Sequence, residues 1–354
     1  MRHPGSLQRV TEVGDRVPSP DVAPRSSLLR NWRYVLRTSN PPRGRIDPVS
    51  RWLVLTRASV LPMTITAAAI AGLLAAFVDA NVNWWLFALA ATGLVLAHVA
   101  NNLMNDLFDL EVGVDSETYP RALYAPHPVL SGTITRRGLL ATAAAVNAAD
   151  LLILVVLLVT RGWPVVAFAL GGFLLSFAYT APPLRLKKHG LGEPTVLIVW
   201  GPLMVGGTYY AATGHLPISV VFASLPYALL CTAVLMGKHI DKIPWDARDG
   251  TRTLPVLLGE RAARRLTQGM MLSFYVLVAL LVGVGTLPIA ALLVAFALPK
   301  LVTVWKPFSE PKPSEPPEGF PIWPLWYAAL AFIHTRRAGG LLVLGLIVGV
   351  ILGW

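Results

Sequence analysis

Two stretches of this chain concentrate carboxylates at spacings that can hold a divalent cation. The first runs Asn102-Leu-Met-Asn105-Asp106-Leu-Phe-Asp109-Leu-Glu111-Val-Gly113-Val-Asp115, the second Asp241-Lys-Ile-Pro-Trp-Asp246-Ala-Arg-Asp249. The spacing of Asp106 and Asp109 puts both carboxylates on one face of a helical end, with Asn102 and Asn105 one turn away on a similar face. Oxygen ligands of this kind suit Mg2+, which binds through one or two carboxylates and completes its shell with water and substrate phosphates. The second stretch would supply a second ion. Tyr179-Thr-Ala-Pro182-Pro183-Leu-Arg185-Leu-Lys187-Lys188 adds three cations just past a Pro-Pro break, and Arg121 adds another beside the first acidic stretch. Two metal sites with basic side chains between them describe a receptor for a diphosphate, whose departing charge the cations would neutralise. The competing reading of the cations is purely topological: basic residues collect on one side of a membrane.

The elements that must carry these groups are membrane helices. The chain has 354 residues, 55% hydrophobic and only 14% charged, with Pro 29 and Gly 29. Soluble domains carry about a quarter charged residues, which argues against a soluble enzyme. Apolar runs near 52–78, 84–105, 139–160, 162–181, 194–213, 218–238, 265–285, 287–304 and 338–354 are long enough to span, which makes the expected fold an all-α bundle of about nine transmembrane helices. With the N-terminus cytoplasmic, 29 of the 30 Lys and Arg residues fall on the inner side and Arg161 alone outside. That bias sets the orientation and places both acidic loops toward the cytoplasm, as expected for a multi-pass protein of a bacterial-type inner membrane. The net charge of +11 is explained by this topology, and no nucleic-acid partner is implied, because the basic residues lie between apolar runs rather than on one polar face.

Residues 1–50 read as a disordered basic cytoplasmic tail and 51–354 as the transmembrane domain. Within the latter, 305–337 is expected to be a Pro-rich cytoplasmic loop followed by a short interfacial helix around Trp323 to Phe332, leading to Arg336 and Arg337 before the last span. Arg57, several residues into the first span, is a candidate for diphosphate or acceptor binding, because charge is costly there. Asp150, near the middle of the third span, is a functional-site candidate on the same ground, or else pairs structurally with a neighbouring helix through Asn147. Tyr179 is either a ring that stabilises carbocation character or a member of the aromatic belt. His127, His189 and His239 lack a metal-ligand spacing, and Cys231, the single cysteine, excludes an internal disulfide.

The acidic stretch 102–115, YTAPPLRLKKHGLGE at 179–193 and DARDGTRTLPVLLG at 246–259 together resemble the UbiA-type intramembrane prenyltransferases. The resemblance covers roughly residues 50–304. The Gly113-Val-Asp115 ending and GLGEPTVLIVWGPLMVGGTYY at 190–210 are most similar to the quinone branch, which prenylates 1,4-dihydroxy-2-naphthoate. The resemblance implies Mg2+-dependent ionisation of an allylic prenyl diphosphate and attack by a hydrophobic aromatic acceptor, within the bilayer. Residue by residue, it implies Asp106, Asp109 and Asp115 as carboxylates of the first motif, Asn102 and Asn105 as their polar partners, and Asp246 in the second. That second motif departs from the family pattern, because Lys242 stands where the other aspartate is usual; Asp241 or Asp249 is expected to take its place. The departure keeps open a terpene cyclase that uses no acceptor, and intramembrane charge keeps open a polytopic transporter.

Overall fold

The computed structural model describes residues 27–42, 46–112, 127–318, 320 and 322–353. All regular structure among them is helical, apart from an isolated bridge between His189 and Arg252. Two short helices, α1 (Leu28–Thr38) and α2 (Pro48–Leu55), precede α3 (Leu61–Val78), α4 (Trp84–Val112), α5 (Arg136–Arg161) and α6 (Pro164–Thr180). The second half holds α7 (Gly192–Thr213), α8 (Ile218–Asp241), the short α9 (Ile243–Arg248) and α10 (Leu254–Leu258), then α11 (Glu260–Gly283), α12 (Ile289–Ser309) and α13 (Trp326–Leu352). Eight of these are long and apolar enough to cross a membrane. The ninth expected span, α6, has 17 residues, because Pro164 starts it and Ala181 before Pro182 ends it. The protein is thus an integral, multi-pass membrane protein.

Short connections at 79–83, 162–163, 214–217 and 284–288 force neighbouring helices to run antiparallel, so these turns share one end of the bundle. Asp106, Tyr179, Glu193, Asp246 and the start of α13 share the other. At the turn end, Arg161 donates from Nε to the carbonyl of Ala211 and from Nη2 to that of Ala212, each at 2.8 Å. Tyr209 donates to Asp79 at 2.8 Å. Between the ends lies a core of small and aromatic residues, including Ala67, Ala71, Leu74, Tyr227, Phe274 and Leu342. Large apolar side chains on the outside, such as Leu152, Val159, Phe173 and Phe296, are exposed, as a lipid-facing surface requires. Gly345 lets α13 approach α12 so closely that a Cβ there would sit 2.5 Å from the carbonyl oxygen of Ala290.

Three expectations are corrected. The first span does not run from residue 52: it breaks at 56–60, because Pro62 has no N–H for the carbonyl of Ala58, and Arg57 occupies the break with φ 51°. Residues 28–38, assigned to a tail without structure, form a helix that buries Asn31, Val35 and Thr38. Finally, among the described residues no separate interfacial helix precedes the last span. Trp326 to Leu352 is one helix, and Arg336 and Arg337 interrupt its hydropathy but not its backbone.

Candidate active site

The first cluster is built where the break before α3 meets the end of α4. Asp106, 1% exposed, receives the Arg57 guanidinium in an ion pair. The left-handed backbone of Arg57 is a conformation that L-residues rarely adopt. Asn102, one turn earlier on α4, donates to the carbonyl of Thr56 at 3.2 Å and so ties the break to the helix that carries Asp106. His127 closes the cluster, its Nε2 lying 2.8 Å from the backbone carbonyl of Asp106 while its Nδ1 accepts from the N–H of Val129. Asn105 is half-buried beside them. Arg57 therefore lies not within a span but in the break before α3, paired with Asp106. For Asp109 the structure describes a helical backbone only, and Asp115 and Arg121 lie outside the described residues.

The second cluster joins the end of α6, the start of α7, the end of α8 and α9. His239 on α8 is buried, its Nδ1 2.7 Å from Oε1 of Glu193 and its Nε2 3.3 Å from the Tyr179 hydroxyl. With Glu193 ionised, Nδ1 carries the proton and Nε2 accepts from the tyrosine. The ring of Tyr179 packs over Gly192, where a Cβ would come within 3.1 Å. Asp246 on α9 is 1% exposed and pairs with the buried ammonium of Lys242, one turn earlier, at 3.3 Å. Lys187, Lys238 and Lys242 all lie within electrostatic reach of His239, and Lys187 and Asp246 within that of Glu193. Arg185 and Lys188 are exposed, and of the three cations after the Pro-Pro break the half-buried Lys187 is the one within electrostatic reach of His239 and Glu193.

Asp241 and Asp249, the two options for completing the second motif, have different surroundings. Asp249 is exposed where α9 ends. Asp241 accepts the N–H groups of Tyr327 at 3.1 Å and Ala328 at 2.9 Å, so both of its oxygens cap α13. Lys312, from the proline-rich connection, adds an ion pair to it at 3.6 Å, rests over the Trp323 ring and donates to the carbonyl of Pro324. Burial pulls the Lys312 pKa below its ordinary 10.5, and Asp241 and Glu260 oppose that pull. Gly237 permits this docking, since a Cβ on it would meet the Tyr327 backbone at 2.7 Å. Glu193, His239 and Lys242 are the cluster members that sequence reasoning missed. A carboxylate in the first turn of an apolar span was the available signal for Glu193.

Among the described residues no three His, Cys, Asp or Glu side chains gather into a metal cage. Two carboxylate oxygens, Oδ2 of Asp246 and Oε2 of Glu193, are nevertheless buried without a hydrogen-bond partner among those residues. Buried carboxylate oxygens normally have partners. Such a donor set fits Mg2+, which takes few protein carboxylates and leaves the rest of its shell to water and phosphate.

An all-helical membrane bundle with buried carboxylates and cations gathered at one end defines a class of intramembrane enzymes acting on an anionic, lipid-soluble substrate. The UbiA prenyltransferase family matches residues 63–333, and the chain belongs to it. It is a prenyltransferase. The 1,4-dihydroxy-2-naphthoate octaprenyltransferase of Bacillus subtilis (strain 168) is 26% identical over 255 residues, covering 70% of this chain and 79% of the relative. Among solved structures, digeranylgeranylglyceryl phosphate synthase superposes with a TM-score of 0.55 at 16% identity, covering 86% of this chain and 98% of that one. A UbiA homolog from Archaeoglobus fulgidus bound to DMAPP and Mg2+ superposes with a TM-score of 0.52 at 15% identity, covering 82% and 99%.

Proposed function

We propose that the protein transfers a prenyl chain from an allylic prenyl diphosphate to an aromatic acceptor of the 1,4-dihydroxy-2-naphthoate type, as a step in quinone biosynthesis. The observation that carries this reading is the pairing, at one end of the bundle, of buried carboxylates with cations. Asp106 lies with Arg57 and Asp246 with Lys242, and orphaned oxygens remain on Asp246 and Glu193. The named activity of the B. subtilis relative supports the choice of acceptor.

Asp106, Asp246 and Glu193 would hold Mg2+, with Asp109 and Asp115 as further donors of the first motif. Bound there, Mg2+ would supply positive charge to the diphosphate oxygens and favour cleavage of the C1–O bond. Lys187 and Arg57 hold the diphosphate and its pyrophosphate product, and Arg121, Arg185 and Lys188 add positive field around the entrance. The ring of Tyr179 faces the cationic carbon of the substrate, and its hydroxyl is kept in place by His239 and Glu193. Apolar helix walls exclude water, which would otherwise trap the allyl cation as an alcohol. The acceptor ring attacks C1 and loses a proton, and the lipid-soluble product leaves sideways into the bilayer. In the orientation we propose, the site end faces the cytoplasm, where ionic substrates are made.

Product analysis on membranes containing the protein tests this. They are supplied with a series of allylic diphosphates and Mg2+, with and without 1,4-dihydroxy-2-naphthoate. The expected result is a prenylated naphthoate that disappears with EDTA. Cyclic hydrocarbon formed without acceptor would overturn it in favour of a cyclase, and diphosphate left intact by folded protein across the whole series would overturn it altogether.

A further inference from the structure

Away from the candidate site, Lys300 on α12 and Ile333, Arg336 and Arg337 on α13 line a groove of about 390 Å³. Residues 333, 336 and 337 share one helical face by their i, i+3, i+4 spacing. Both arginines are exposed and Lys300 is half-buried. None of the three enters an ion pair among the described residues. The sequence offers them little chance of one, since residues 261–309 and 319–354 contain no Asp or Glu. Three cations thus converge on one groove, with exposed apolar residues around it that include Ile333 at 47% and Val302 at 71% exposure.

Their depth is informative. Lys300 lies nine residues before the end of α12 at Ser309, and Arg336 ten residues after the start of α13 at Trp326. At 1.5 Å per residue, all three are about 15 Å from the site end of their helices and level with one another. Beyond Arg337 the last helix runs from 338 to 352 without an ionisable residue, roughly 22 Å of apolar helix against a hydrocarbon core of about 30 Å. The groove therefore lies about 8 Å inside the hydrocarbon boundary of the leaflet on the site side, a depth from which Lys and Arg side chains reach the headgroups by snorkelling. Arg336 lies 5.8 Å from the centre of the Phe332 ring, and Trp305 on α12 is exposed nearby in sequence, an aromatic fringe suited to that depth.

We propose that this groove binds the phosphate of an anionic phospholipid, its acyl chains lying along α12 and α13. Arginine presents a fork of donors to phosphate, lysine a point charge, and no carboxylate pairs with any of the three among the described residues. The lipid would fill the seam between the last two helices without touching the clusters of the candidate site.

Native mass spectrometry of the full chain in detergent tests this, with phosphatidylglycerol and phosphatidylcholine as probes. Each basic residue near a membrane surface strengthens anionic-lipid binding about fivefold. The triple variant Lys300→Gln, Arg336→Gln, Arg337→Gln should therefore bind phosphatidylglycerol roughly a hundredfold more weakly. The wild type should prefer phosphatidylglycerol over phosphatidylcholine, and the preference should fall with salt. A charge-preserving variant, Lys300→Arg, Arg336→Lys, Arg337→Lys, should keep most of the binding, which separates charge from a folding defect. Equal phosphatidylglycerol binding by wild type and triple variant would overturn the proposal. So would displacement of the lipid by millimolar inorganic phosphate, which would make the groove a site for free phosphate.

Discussion

The two ends of the bundle treat their charged groups in opposite ways. At the turn end Arg161 is held by two carbonyls, and Asp79 is met by the Tyr209 hydroxyl at 2.8 Å and by His215 at 3.2 Å. At the site end, buried carboxylates are matched to cations only in part: Asp246 and Glu193 each keep an oxygen with no hydrogen-bond partner among the described residues. A buried polar atom left without a partner costs about 1–3 kcal/mol. A fold that pairs its charged groups at one end and leaves carboxylate oxygens unpartnered at the other offers the second end to a ligand. The site end itself divides in the same way. Asp241 is fully engaged in capping α13, while Asp246, five residues on, is not.

The comparison breaks most visibly at Asp106. Asp106→Ala should lower prenyl transfer by about a hundredfold or more, as loss of a main electrostatic group at a reacting centre does, read as product formed per folded protein. Lys242→Met removes one partner of a buried pair, and such losses cost roughly 3–5 kcal/mol. Its thermal midpoint should drop, and added Mg2+ should recover part of the drop, because the cation replaces the missing charge on Asp246. Absence of any Mg2+ effect would show that Asp246 does not face the ion. At the turn end, Arg161→Ala deletes two charge-assisted hydrogen bonds, each worth about 1.5–3 kcal/mol. It should destabilise the protein yet leave turnover per folded molecule unchanged.

A smaller effect is expected at the corner between α1 and α2. Partial burial raises the Asp47 pKa, but hydrogen bonds from Ser50 and from the Trp32 ring overcome it and bring the group from 3.8 to about 2. A depressed carboxylate stabilises the folded state fully above its unfolded pKa and loses that contribution as pH falls toward the folded value. Trp32 fluorescence should therefore report loosening of the corner between about pH 4 and pH 2, and Asp47→Asn should abolish that step.

Much of this was legible in the chain itself, and the exceptions have physical causes. Long apolar runs located the spans, and the spacing of Asn102, Asn105, Asp106 and Asp109 marked the first acidic motif. The α1 helix escaped notice because its apolar residues are periodic rather than contiguous. The continuity of α13 escaped because Arg336 and Arg337 break hydropathy without breaking a helix. Asp241 and Asp246 look alike in one dimension; only the fold shows that α13 begins on the first. The chain of Tyr179, His239 and Glu193 spans three helices, and no local pattern connects residues 60 positions apart.

The most direct test sets Asp246→Asn beside Asp241→Asn and measures Mg2+-dependent pyrophosphate release per folded protein, with thermal unfolding as the check on folding. The account predicts a fall of about a hundredfold in turnover per folded protein for Asp246→Asn, together with a lower unfolding midpoint because Lys242 loses its buried partner. For Asp241→Asn it predicts a lower unfolding midpoint with turnover within about threefold of wild type, roughly 0.7 kcal/mol. Turnover lost in folded Asp241→Asn and retained in Asp246→Asn would contradict it.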